Sequence, residues 1–261
     1  MVSMAMLISC VASCDSGSDA VSYGVGTLSL GLSANPSFST KTRSVNEAEY
    51  KKADNYQVTV KDVDGASLYK GLYKDMPLSI DLTAGKGYTV KAFYGENVNA
   101  GFDKLYVEGS QEFTVSEGEQ KNVILYCKPA NVKVSVVYTE DFLKYYSDCT
   151  VSLSTSHLTA PFEVNMKKDS GKDAYLKANA DGEKVSITVG GFRDKEGNEV
   201  VMDLVAAERV VKPKTHLTIT VDPEVITIST GTASIDVDVD TSTEDKDINI
   251  EIPEEYWPGN V

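Results

Sequence analysis

The chain has 261 residues, with 25 Lys plus Arg against 39 Asp plus Glu, a formal net charge of −14 and a pI near 4.6. That charge repels phosphate backbones and anionic headgroups, which argues against nucleic-acid binding and against electrostatic adsorption to a membrane surface. Hydrophobic residues make up 41%, enough for packed cores, while 2 His leave little material for a histidine metal centre.

Residues 1–14 read MVSMAMLISCVASC, an apolar run without Lys or Arg. It is too short to span a bilayer and has the character of the back end of a secretory signal. Val11-Ala12-Ser13-Cys14 resembles a bacterial lipobox: a branched residue, two small residues, then the thiol that receives the lipid. Leu7-Ile8-Ser9-Cys10 fits less well, because Ile8 is bulky. Cys14 is followed by the polar, acidic stretch 15–20, which suits a tether. Residues 1–22 are therefore read as signal and tether, with Cys14 as the lipidated residue and the outer membrane as the location.

From Tyr23 onward the apolar residues recur mostly with period two, the signature of strands with one face on a core. Thr27–Leu32 and Tyr56–Lys61 alternate, and Asp62-Val63-Asp64-Gly65 marks a turn before Ser67–Tyr69. Leu78–Leu82, Gly87–Tyr94, Glu112–Val115 and Lys121–Tyr126 complete a first set. Lys128-Pro129-Ala130 interrupts the pattern and sets the boundary between 23–128 and 129–222. The second set runs through Asn131–Val136, Cys149–Ser154, Phe162–Met166, Ala174–Leu176, Gly182–Val189 and Thr215–Thr220. The block at 180–189 echoes that at 84–90, and 214–220 echoes 119–125, which indicates a weak internal duplication. Thr139–Tyr146 is the one helical candidate. Val225–Ile228, Ala233–Asp240 and Ile248–Ile252 add strand-like segments in a tail, 223–261. Many short strands with turn-marked spacing specify an all-β protein, a sandwich or barrel and not a βαβ fold.

Chemistry is sparse. Asp62-Val63-Asp64-Gly65 lacks the later ligands of a calcium loop and reads as a hairpin turn, and Asp236, Asp238 and Asp240 share one strand face as a solvated row. No nucleophile elbow, phosphate loop or paired-cysteine zinc spacing is present, and Cys149 with His157 makes no motif. Nothing asks for a cofactor or a metal, and the chain is read as non-catalytic. Cys127 and Cys149 remain, and in an exported protein they allow either a disulfide or two buried thiols. Tyr138, Tyr145 and Tyr146 with Phe142 form either a packed core edge or an aromatic platform for sugar, with Tyr256-Trp257 as a second aromatic site.

The lipobox, the tether, Gly26-Thr27-Leu28-Ser29-Leu30, the block Ala84–Gly95 and Asn131–Val136 with Phe142 and Tyr145 together resemble an uncharacterised family of Bacteroidetes surface lipoproteins similar to the fimbrillins, the type-V pilin-like adhesins. The resemblance covers about residues 26–222. It implies two tandem transthyretin-like Greek-key β-sandwich domains. It also implies processing by an arginine-specific protease after an N-terminal strand, for which Arg43 in Lys41-Thr42-Arg43-Ser44 is the candidate. The groove so opened would take a neighbour's terminal strand. The expected partners are the outer membrane through the lipid, other pilin-like subunits by strand exchange, and a host or glycan receptor, with no nucleic acid. The expected role is an adhesin or pilus-accessory subunit; the alternative is a glycan-binding surface lipoprotein for polysaccharide uptake.

Overall fold

The structure is a computed structural model. It describes residues 24–38, 45–201 and 206–222 in full, and Val205 and the strands at 225–232 and 248–251 by their backbone. The fold is all-β. The first half carries β1 (Val25–Ala34), β2 (Gln57–Asp62), β3 (Ser67–Leu72), β4 (Ile80–Thr83), β5 (Gly87–Gly95), β6 (Ala100–Phe102), β7 (Tyr106–Thr114) and β8 (Gln120–Pro129). The second carries β9 (Asn131–Tyr138), β10 (Tyr146–Ser154), β11 (Phe162–Asn165), β12 (Ala174–Lys177), β13 (Glu183–Asp194), β14 (Val205–Val211) and β15 (Thr215–Val221), followed by β16 (Val225–Thr232) and β17 (Ile248–Glu251). Two short helices interrupt them, α1 (Glu47–Lys51) and α2 (Glu140–Tyr145).

In the first half the strand order is β3-β2-β5-β7-β8-β1-β4. β7 and β8 pair only at Val107–Pro129 and Glu108–Lys128, so the sheet folds over at that corner. Both wings then supply one core: Val58, Val60, Val90 and Ala92 from one, Leu28, Leu82, Val123 and Leu125 from the other. In the second half a four-stranded sheet, β11-β10-β13-β14, faces the sheet β17-β16-β15-β9-β12-β6. Val151, Leu153, Ile187 and Val189 meet Val132, Val134, Leu217 and Ile219 between them.

The duplication heard in the sequence is visible in the pairing. β1 runs parallel to β8 and antiparallel to β4, as β9 runs parallel to β15 and antiparallel to β12. β2 lies between β3 and β5, as β10 lies between β11 and β13. The tail strands add to the second half, β16 pairing with β15 and β17 with β16. The alternating segment 233–240 lies outside the described residues.

Turn chemistry agrees with the local sequence. Asp62 Oδ1 accepts from the N–H groups of Asp64, 3.0 Å, and Ala66, 2.8 Å, while Gly65 takes φ +82°, where a Cβ is disfavoured. The Asp62 carboxylate is thus spent on the β2–β3 turn. Thr139 caps α2 by accepting from the Phe142 N–H at 3.1 Å. α1 was not foreseen; its cap is Asn46, whose side chain accepts from the Ala48 N–H. β6 was missed too. It belongs to the first half by position but pairs with β12 of the second, Gly101 opposite Tyr175, and so crosses the division placed at Pro129.

Candidate functional site

β1 is held on both sides. Against β8 the parallel register runs from Thr27–Gln120 to Ala34–Cys127, and against β4 from Val25–Thr83 to Leu28–Ile80. Its ends are tied as well, by Thr27 N–H to the Glu119 carbonyl and Asn35 N–H to the Cys127 carbonyl, both 2.8 Å. Leu28 is fully buried, and Leu30 and Leu32 pack against the same core. The Thr27–Leu32 alternation dictates this placement: the Leu residues face inward and Ser29 and Ser33 face out. Removing β1 would strip the ladder from one side of β8 and of β4 and uncover the first core between them, a slot shaped for one extended strand.

A second feature lies where the halves meet. Lys133 and Ser135 alternate with Val132 and Val134 on β9, so they point away from the second core. They are nevertheless buried, because Phe38 of the first core lies over that face and Tyr175, beside Lys133 on β12, packs into the first core as well. Lys133 Nζ is 3.4 Å from Asp173 Oδ2 and 6.0 Å from the Phe38 ring centre. Ser135 Oγ donates to Asp173 Oδ1 at 2.5 Å and lies 2.9 Å from His216 Nε2. A hydroxyl has one proton; given to Asp173, it leaves Ser135 accepting, so His216 Nε2 carries a hydrogen toward it. The serine therefore sits between carboxylate and imidazole, whereas nucleophilic catalysis needs the imidazole beside the hydroxyl as a proton acceptor. The cluster is a buried polar clamp. Across the same junction Asn131 Nδ2 donates to the Lys104 carbonyl at 2.8 Å, and the Asp103 N–H to the Asp173 carbonyl at 3.3 Å.

A family model described as a domain of unknown function, DUF4493, matches residues 24–254. The chain belongs to this family. No curated protein matches it. Among solved structures, it is similar to a fimbrial assembly protein from Parabacteroides distasonis, at 14% identity and TM-score 0.41 over 80% of this chain and 95% of that one. It is also similar to a candidate cell adhesion protein from Bacteroides eggerthii, at 12% identity and TM-score 0.38 over 88% and 96%. A third is the fimbrial anchor protein Mfa2 from Porphyromonas gingivalis, at 12% identity and TM-score 0.33 over 75% and 90%.

In this DUF4493 chain Cys14, Arg43, Asp236–Asp240 and Tyr256-Trp257 lie outside the described residues. Cys127 and Cys149 are both free. The disulfide that the sequence allowed is corrected to two buried thiols. Cys127 belongs to the first core and Cys149 to the second, so each packs in its own cluster. Burial pushes both thiols up to about 12, Glu108 adding to the effect at Cys127 and Asp148 at Cys149, against a hydrogen bond from Tyr138. A thiol so placed is no nucleophile at neutral pH. Of the aromatic cluster, Tyr138, Phe142 and Tyr146 belong to the second core, Phe142 stacking on Tyr146 at 4.7 Å with Tyr146 1% exposed, whereas Tyr145 is 38% exposed and outside it. His157 faces Glu183 at 3.4 Å instead of a cysteine. Among the described residues no group of three or more His, Cys, Asp or Glu could hold a metal, and no helix is long and apolar enough to cross a membrane.

The sequence missed the clamp. Lys133 and Ser135 alternate with valines as a solvated strand face does, and only contact with the other half, remote in sequence, makes that face an interior one.

Proposed function

We propose that this DUF4493 protein is a lipid-anchored surface adhesin or pilus-accessory subunit of two tandem transthyretin-like sandwiches, and that β1 is the strand exchanged on assembly. The observation that carries this reading is the seating of β1 between β4 and β8, with Arg43 nine residues past its end in the sequence. Cleavage at Arg43 would cut the strand's covalent link while its ladder still held it. An incoming strand with the same alternation would then replace it, gaining the same backbone bonds and the pockets of Leu28, Leu30 and Leu32. Cys14 holds the uncut chain to the outer membrane, and residues 15–20 keep the sandwiches clear of it; the cut at Arg43 and the loss of β1 release the chain from that anchor.

The test is sizing by light scattering before and after digestion with an arginine-specific protease, with the cut mapped by mass spectrometry. Growth into ladders after a cut at Arg43 is the expected result. A cut at Arg43 that leaves a monomer with β1 still bound, even with excess intact chain present, overturns strand exchange. For the anchor, Cys14→Ala should abolish labelling by a fatty-acid probe, and retained labelling would move the assignment to another residue.

A further inference from the structure

A cleft of about 500 Å³ opens on the first half between the α1 segment, the end of β5 and the turn after β6. Local bonds fix its walls. Asn55 Nδ2 donates to the Glu49 carbonyl at 2.9 Å, and Tyr56 Oη to the Tyr50 carbonyl at 2.7 Å, which pins α1 to the strand that follows it. Tyr50 thereby meets Tyr94 edge to face, with ring centres 4.8 Å apart. Gly95 holds φ +97°, and a Cβ there would lie 2.1 Å from the Leu105 carbonyl oxygen and 3.2 Å from Tyr50, so only glycine lets the three walls close up. Leu105 is fully buried, while Gln57, Glu96 and Asp103 are exposed at the rim. Glu96 and Lys104 pair across it at 2.6 Å.

This combination has a specific chemical reading. The partly buried Tyr50 and Tyr94 rings, packed on the first core, line the cleft and can meet C–H groups there, and a flanking amide and carboxylates offer acceptors and a donor at different heights. A pyranose presents the complement, an apolar C–H face with a rim of hydroxyls. A cleft of this size holds one or two sugar rings. Charge narrows the class. Two rim carboxylates face one lysine, on a chain of net charge −14, so uronic, sialylated and sulfated sugars are disfavoured.

We infer that the Tyr50–Tyr94 cleft binds a neutral hexose-containing glycan. The inference rests on the adhesive reading for its biological setting and adds to it a site and a ligand class. Mono- and disaccharides in shallow clefts bind with Kd values of roughly 0.1–10 mM, so the assay must reach that range. The purified full chain is titrated with lactose, cellobiose and maltose up to about 10 mM by saturation-transfer NMR, with 3′-sialyllactose as the acidic comparator.

At least one neutral sugar should show transfer concentrated on the C–H protons of one ring face, several-fold stronger than 3′-sialyllactose. Gln57→Ala, at an exposed position that cannot unfold the sandwich, and Tyr50→Leu, which keeps apolar bulk against Tyr94, should each weaken binding about tenfold. Silence from all three neutral sugars overturns the inference, as does transfer that neither variant alters or that the sialylated sugar matches. Sizing and lipid labelling report the adhesive reading separately. Sugar silence with ladders and label intact removes the cleft alone, and sugar binding without them removes the surface assignment alone.

Discussion

At Lys133 and Asp173 two charges are 1% and 0% exposed, facing each other in the junction between the halves. Removing one partner leaves the other charged and dry, so Asp173→Ala should cost about 3–5 kcal/mol in urea unfolding. The double variant Lys133→Met with Asp173→Leu should recover much of that loss, since an apolar pair replaces a desolvated ionic one. If Asp173→Ala proves neutral, the clamp is solvated and the reading of β9 as a doubly buried strand is wrong. Cys127 and Cys149 give a second check at this scale. With Cys10 and Cys14 changed to Ser, neither remaining thiol should react with a thiol reagent at pH 8 until the protein unfolds, because burial has raised both far above that pH. Rapid labelling of the native protein would show that one of the cores opens locally.

Among the elements, α2 depends on Thr139, which accepts from the Phe142 N–H and donates to Asp222 Oδ2 at 2.8 Å. Thr139→Ala should therefore destabilise by about 1 kcal/mol, and Thr139→Ser by much less, measured against the same urea transition. How far such elements were legible in the sequence follows from where their partners lie. β2 and β5 were readable because each buries one face and wets the other, so Val58 and Val60, or Val90 and Ala92, stand out in alternation. α2 was readable because Thr139 and Phe142 are three residues apart. β6 is only three residues long and finds β12 more than seventy positions later, so no local pattern could reveal it. α1 is a single turn closed by Asn46, too short for a helical period to register. Of the functional features, the β1 alternation was in the sequence, but its insertion between β4 and β8 was not, because sheet order depends on pairings remote along the chain. The cleft was invisible for the same reason, as Tyr50, Tyr94 and Asp103 belong to three separate segments.

For the whole molecule, the repeated connectivity of the halves suggests two independent bodies, yet β6 lies in the other half's sheet and the polar clamp is buried between them. The expectation is one calorimetric unfolding transition for the full chain, with Asp173→Ala shifting the entire transition and not one part of it. Two resolved transitions, only one of them moved by Asp173→Ala, would show that the junction couples the halves weakly.

The parallel course of β1 and β8 bears on how such a molecule carries force. If the uncut chain is tethered through its first residues, as proposed, the pull enters β1 at its Val25 end, while β8 is held from its Pro129 end by everything that follows. In a parallel pair those two pulls run in opposite directions along neighbouring strands, so the backbone bonds from Thr27 to Ala34 are sheared together and are not peeled off one at a time. A hairpin pulled at its open ends unzips at low load. Under such a tether the geometry would resist traction until many bonds fail at once, so in the uncut chain the seating of β1 would be a mechanical latch as well as a structural one.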